Sequence, residues 1–282
     1  MTATDAAVEI DALRGWIGRT ETRTEDLTPA LAERFNATFG LSDPIETGDA
    51  APLLIHLCLT QPVVPAGALG PDGHPARGGF LPPVPLPRRM WAGGAFTFHR
   101  PLRIGTRVTR QSTISDVVLK QGRSGPLCFV TVTHEMSDPN GLAVSERQDI
   151  VYRGHDQGRP APDPAAADPG PHHRQFTADP VLLFRYSALT FNGHRIHYDQ
   201  PYASREEGYP GLVVHGPLQA TLLAQYAADL RSAPPKTFRF RSLTPLFDTA
   251  DVTLNARDDA EGLTLWTARP NGPIAMEATA TW

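Results

Sequence analysis

Apolar and polar residues alternate with a period of two over 107–118, 127–136 and 143–152, and the same pattern returns over 252–257, 263–269 and 274–282. That period is the signature of half-buried strands. Gly, Asn, Asp and Pro gather at 122–125, 138–141, 258–262 and 271–273 and supply short turns, so consecutive strands form antiparallel sheet. Ahead of each set stands a helical candidate, 52–60 in the first and 217–230 in the second. In the second, Leu218, Leu222 and Tyr226 recur every fourth residue beside Leu223 and Leu230, and Pro217 suits a first helical turn.

The two sets repeat one another. At an offset of 144 residues Phe96 falls on Phe240, Pro101 on Pro245, Leu102 on Leu246, Val108 on Val252 and Thr109 on Thr253. Between them GHDQGRPAPDPAAADPGP is too poor in apolar residues to fold alone and reads as a linker. The expected organisation is therefore a first domain over 1–153, a linker over 154–172 and a second domain over 173–282. The fold class is α+β, with two similar domains, each a helix against a curved antiparallel sheet. Edge-to-edge pairing of the two sheets would make the chain self-sufficient. The first domain also carries a Pro- and Gly-rich stretch at 61–94 with no counterpart in the second. It reads either as a cover for a site or as an irregular excursion packed by Phe80, Leu81 and Trp91.

Composition narrows the function. Hydrophobic residues are 40% and charged residues 20% of 282, with a formal charge of -4, which fits a soluble globular chain and gives no basic surface for nucleic acid. Cys58 and Cys128 form no CxxC pair, so a disulfide framework is not indicated and a reducing cytoplasm is expected. The first ten residues contain Asp5 and Glu9, and no run of about 18 apolar residues occurs. Neither a secretory signal nor a membrane partner is expected.

The chemistry concentrates in FRYSALTFNGHRIHYDQPYASREEGYPGLVVHGPLQATLL, residues 184–223. His194 and His197 stand in HxxH spacing, but no third ligand accompanies them, so no metal is expected. Histidine titrates near neutrality and suits acid/base work. Asn192 can fix a water or an imidazole but cannot deliver a proton to carbon. His215-Gly216-Pro217 opens the long helix, where unpaired N–H groups could stabilise an oxygen gaining charge. Taken singly, His194, His197 and His215 also read as surface or structurally bonded histidines; the order of the whole segment favours chemistry.

NGHRIHYD followed by GLVVHGPLQATLL resembles the hydratase signature of the MaoC-like hot-dog enzymes, and most of the chain resembles the type 2 3-hydroxyacyl-thioester dehydratases and the related mesaconyl-CoA and itaconyl-CoA hydratases. MWAGGAFTFHRPLRIG adds to the likeness. The resemblance implies a double hot-dog and reversible hydration of an enoyl-CoA thioester, including short dicarboxylic ones. His197 is then the acid/base, Asn192 holds the place of the usual aspartate, and the Gly216 amide is the oxyanion donor. Asn for Asp departs from the wider family, leaving one imidazole to move both protons, with Asp199 and Glu206 as reserve acids. CoA enters as part of the substrate, so no separate cofactor is expected. Arg239 and Arg241, together with Arg88 and Arg89, are candidates for its phosphates; Arg88, Arg89 and Arg195 are candidates for a distal carboxylate. A homodimer is the protein assembly considered. The competing readings are a dehydratase of acyl-carrier-protein substrates, a thioesterase, and a thioester-binding hot-dog without turnover.

Overall fold

Ten strands join into one antiparallel sheet in the order β1-β3-β4-β5-β2-β7-β10-β9-β8-β6. They are β1 (Thr20–Asp26), β2 (Arg88–Phe98), β3 (Arg107–Gly122), β4 (Gly125–Asp138), β5 (Gly141–Arg153), β6 (His172–Phe176), β7 (Thr237–Ser242), β8 (Val252–Asp259), β9 (Gly262–Ala268) and β10 (Ile274–Thr281). The structure is a computed structural model and describes residues 8–42, 44–122, 125–154 and 164–282. The strand order is the same read from either end: β1, β3, β4, β5 and β2 correspond to β6, β8, β9, β10 and β7. All six strands read from alternation are present. Residues 155–163 of the linker stretch lie outside the described residues, and of the rest 164–171 carries neither helix nor strand.

The halves meet where β2 pairs with β7, Gly94 opposite Phe240 and Phe96 opposite Phe238. Phe96 stacks on Phe240 at 5.8 Å and on Phe238 at 6.4 Å between ring centroids, so repeat-related residues pack against each other across the seam. The main core runs through both halves and includes Phe35, Leu218, Leu254 and Met276.

Helices follow the same duplication. α2 (Pro29–Phe39) and α3 (Pro180–Leu189) both begin on Pro, after a cap whose side chain accepts an N–H three residues on: Thr28 from Leu31 at 3.2 Å and Asp179 from Leu182 at 2.8 Å. Neither helix, nor β1 or β6 before it, was read from alternation, because TETRTED and HHRQF carry almost no apolar residues. α1 (Ile10–Arg14) and α4 (Gln200–Arg205) are short. The long helix α5 (Gly216–Arg231) matches the 217–230 expectation and is buried along its length, from Leu218 to Ala227.

The helix expected over 52–60 does not form; only a 3-10 turn, Ile55–Cys58, is present. Leu54 and Thr60 take left-handed backbone, with φ of 66° and 57°, and Pro62 disfavours helical geometry at the residue before it. Too few residues remain between these stops to nucleate a helix. The stretch 61–94 also ends earlier than expected, because Arg88 already belongs to β2. Glycines 93 and 94 hid the alternation there. They are required by close approach: a Cβ would lie 2.7 Å from the Phe240 carbonyl oxygen at Gly93 and 2.5 Å from that of Arg147 at Gly94. Phe80 and Leu81 pack on a second core formed by Val84, Val130 and Ile150, over the longer strands of the first half.

Phe96→Ala is expected to destabilise the chain by about 3–5 kcal/mol while leaving one cooperative urea transition, since the seam residue belongs to a core shared by both halves. Two separate transitions in the parent protein would show that the halves fold independently.

Candidate active site

The loop between α3 and α4 turns sharply after Phe191, which takes a left-handed φ of 49°. Asn192 then closes the turn: its N–H donates to the Ser187 carbonyl at 2.8 Å and its side-chain oxygen accepts the His194 N–H at 3.0 Å. A 3-10 turn, Arg195–His197, follows and buries Ile196 and His197. His197 Nδ1–H donates to the Val213 carbonyl at 2.7 Å. A carbonyl only accepts, so the proton sits on Nδ1 and the neutral ring keeps Nε2 as a base. His215 caps α5 and lies flat on His197, ring centroids 3.6 Å apart and planes 17° apart. Its Nε2 bonds Ser187 Oγ of α3 at 2.8 Å. The imidazole is thus gripped from behind and stacked from one side.

The stack continues in the other direction. His194 meets His197 edge-on at 5.4 Å, and His74 lies 4.0 Å from His194. His74 comes from the 61–87 loop of the first half, which docks on the site through the Arg195 N–H, a donor to the Asp72 carbonyl at 2.9 Å. Gly73 permits this approach: its φ is +87°, and a Cβ there would strike the Gly193 carbonyl. Asp72 accepts from His74 Nδ1 at 3.0 Å and from its N–H at 3.1 Å. His74 and Asp72 were missed in the sequence because they stand about 120 residues from the signature, and only the fold closes that distance.

Burial sets the electrostatics. It pushes His197 down to about 4, against the Val213 bond, and holds His215 and His194 well below the ordinary histidine value, with the neighbouring imidazoles adding to the effect. Burial also lowers His74, opposed by Asp72. The Asp72 carboxyl is destabilised by burial, yet the hydrogen bonds and charge of His74 outweigh this and keep it below the usual range. The column is therefore neutral at pH 7, and His197 is ready to accept a proton.

Gly216 is the first residue of α5, so its N–H has no carbonyl within the helix to bond. A Cβ there would meet only Ser242 Oγ and Trp91 Cε3, both at 3.9 Å, an ordinary contact. Packing does not demand glycine here; the missing side chain leaves the N–H at the helix start accessible to a ligand. Trp91, from β2 of the first half, packs edge-on against Phe240 at 5.0 Å, and its Nε1 is buried without a partner. The site thus takes residues from both halves.

The arginines divide. Arg89 shares the face of β2 that carries Trp91, pairs in register with Tyr152 and acts electrostatically on His74 and His194. Arg88 turns to Glu207, 3.6 Å away, and to the Tyr209 ring. Arg195 is held by Asp199 at 2.8 Å, by the Pro71 carbonyl at 3.1 Å and over Tyr202. Arg239 and Arg241 lie on the exposed face of β7, the latter 2.8 Å from Glu277. Asp199 is held by Arg195 and caps α4, and Glu206 is its C-terminal neighbour. The one metal-type cluster among the described residues is Asp72, His74 and His194; His197 is not part of it. A cavity of about 580 Å³ between α2 and α3, bounded by Arg34, Cys58, Phe184 and Phe191, is lined by none of these histidines. The chemistry of the side chains, not cavity size, locates the site.

Two sheets fused edge to edge around a buried helix, with a neutral histidine beside that helix's free N–H, define a double hot-dog hydratase/dehydratase of the MaoC-like class. Among solved structures, a MaoC-like dehydratase is similar with a TM-score of 0.72 at 14% identity, covering 96% of this chain and 99% of that one. A Mycobacterium tuberculosis protein described as having a double hot-dog fold is similar at 0.57 and 15% identity, covering 94% and 96%. The sequence profile for hydroxyacyl-thioester dehydratase type 2 matches residues 54–248, and the mesaconyl-C(4)-CoA hydratase of Chloroflexus aurantiacus is 48% identical over 94% of this chain and 95% of its own length. The chain belongs to the hydroxyacyl-thioester dehydratase type 2 family.

Two outcomes are expected. Gly216→Ala should leave the melting temperature unchanged or slightly raised while lowering kcat/KM by about 10²-fold, because its Cβ would stand before the N–H expected to hold the reacting oxygen. With His197 near 4, kcat/KM should stay level from about pH 8 to about pH 5 and fall tenfold per unit below 4. The sign for stability follows from the unfolded chain, whose imidazoles titrate near about 6.5. The stability carried by neutral His197 is full above that value and lost as pH falls toward 4, which circular dichroism separates from the loss of activity.

Proposed function

We propose that this enzyme hydrates a short dicarboxylic enoyl-CoA of the mesaconyl type, with His197 as its single acid/base, and that the chemistry belongs to the second half while the first completes the pocket. The observation that carries this reading is the His197 Nδ1–Val213 bond, which leaves Nε2 as the free base beside the open Gly216 N–H. The substrate class rests on the similarity to the Chloroflexus hydratase. Water attacks the β-carbon as Nε2 takes one of its protons, and the electron pair of the double bond moves onto the thioester oxygen. The Gly216 N–H stabilises that enolate. The imidazolium then returns its proton to the α-carbon on the same face, so one water has added and the ring is neutral again. Dehydration runs the same steps in reverse. Asn192 supports this as the residue that shapes the loop, its carboxamide being occupied by the His194 backbone. A cytoplasmic location fits the two buried free thiols, Cys58 and Cys128; no helix among the described residues is long and apolar enough to cross a membrane.

Loss of the conjugated thioester absorbance of mesaconyl-CoA is the test. His197→Ala should slow it by about 10²–10⁴-fold with the fold retained. Near-normal turnover by that variant, or release of free thiol in place of hydration, would exclude the mechanism.

A further inference from the structure

The Asp72–His74–His194 group is the part of the site that the hydration steps leave unused. Its geometry argues against a cation. The two rings lie 4.0 Å apart and are tilted by 40°, and His74 Nδ1–H already donates to Asp72 at 3.0 Å, so the Asp72–His74 pair is closed on itself instead of aiming lone pairs at one point, as metal ligands do. Charged groups acting on His74 include Asp72, Arg89 and Arg77. Arg77 is turned to the carbonyls of Val84 and Pro87 at 2.8 and 2.6 Å, which leaves Arg89 as the cation nearest the reacting end.

We infer that Arg89 and His194 form a receptor for one carboxylate, the distal carboxylate of the acyl group, with His74, whose Nδ1–H is committed to Asp72, packed on His194. The inference rests on the proposed thioester hydration at this site. Position supports it: Arg89 is two residues along β2 from Trp91, roughly 7 Å of strand, and Trp91 stands against Gly216 where the thioester oxygen is held. His194 is one ring from His197. A four-carbon dicarboxylate sets its carboxyl carbons roughly 4 Å apart, on the scale of the 5.4 Å ring-to-ring step from His197 to His194, whereas a longer neutral chain would meet an arginine and polar rings with nothing to satisfy them. Asp72 is locked to His74 through both its oxygens. The specificity is thus supplied by the first half and the chemistry by the second.

The test compares mesaconyl-CoA with crotonyl-CoA in turnover, and succinyl-CoA with butyryl-CoA in calorimetric binding, for the parent protein, Arg89→Gln, Arg89→Lys and His194→Asn. In the parent the dicarboxylic member of each pair is favoured. In Arg89→Gln that preference falls about ten- to hundredfold, as for a lost charge-assisted hydrogen bond, mainly through KM; Arg89→Lys restores part of it. His194→Asn lowers it less. Equal preference in the parent, or a preference untouched by both substitutions, overturns the receptor. So does one equivalent of zinc bound through these residues with turnover abolished by a chelator. Should neither enoyl-CoA react, the proposed function falls, while the succinyl-against-butyryl difference still decides the receptor.

Discussion

The backbone pairing of β2 with β7 is the constraint on which the site depends. It joins the sheets of the two halves into one, and it requires Gly93, where a Cβ would strike the Phe240 carbonyl of β7, while the Arg147 carbonyl of β5 imposes the same limit on Gly94 from the other side. With that pairing fixed, Trp91 is set against the start of α5 and Arg89 one step further along the same strand face. A register slip of one residue would turn both away from Gly216 and present the opposite face. The seam is thus both the fusion of the folds and the wall of the reaction site.

A second constraint is the exclusion of water from the histidine column. Each imidazole is kept neutral mainly by burial, so the column stores no charge of its own, and a proton taken up by His197 creates an imidazolium in an apolar setting. That species is strained toward giving its proton back, which suits a mechanism in which the same ring must first accept and then return it. The Val213 carbonyl helps here, since it stabilises an Nδ1–H whether or not Nε2 is protonated. At position 192 the side-chain oxygen accepts the His194 N–H and holds the loop that carries the ring.

Much of this was legible in the sequence, and the limits are physical. Strands such as 107–118 and 263–269 show alternation because one face is buried and the other wet. β1 and β6 are edge strands with polar residues on both faces, so they carry no such pattern. The stretch 52–60 is apolar except at His56 and Thr60, and apolar content alone does not separate a buried turn from a buried helix. His197 and Gly216 could be found because they lie within one continuous segment. His74, Trp91 and the docking of Asp72 on Arg195 could not, since nothing local in a Pro- and Gly-rich loop marks the residue that will close against another half of the chain.

The duplication also explains why the halves differ. LVVHG before α5 has a counterpart in LLIHL, which places His56 in the buried turn Ile55–Cys58. His56 faces Phe96 and Glu146 instead of another histidine, and Leu57 stands where Gly216 opens the second helix. Without a long helix there is no aligned stack of peptide dipoles behind that position, so the first half offers neither the oxyanion donor nor the turn that seats a base. Its longer strands and the 61–87 loop serve instead to build the second core and to carry His74 and Asp72 across to the other half. One copy of the fold has kept the helix start that chemistry needs; the other has traded it for a loop that reaches its partner's site, and only their fusion in a single sheet makes the exchange work.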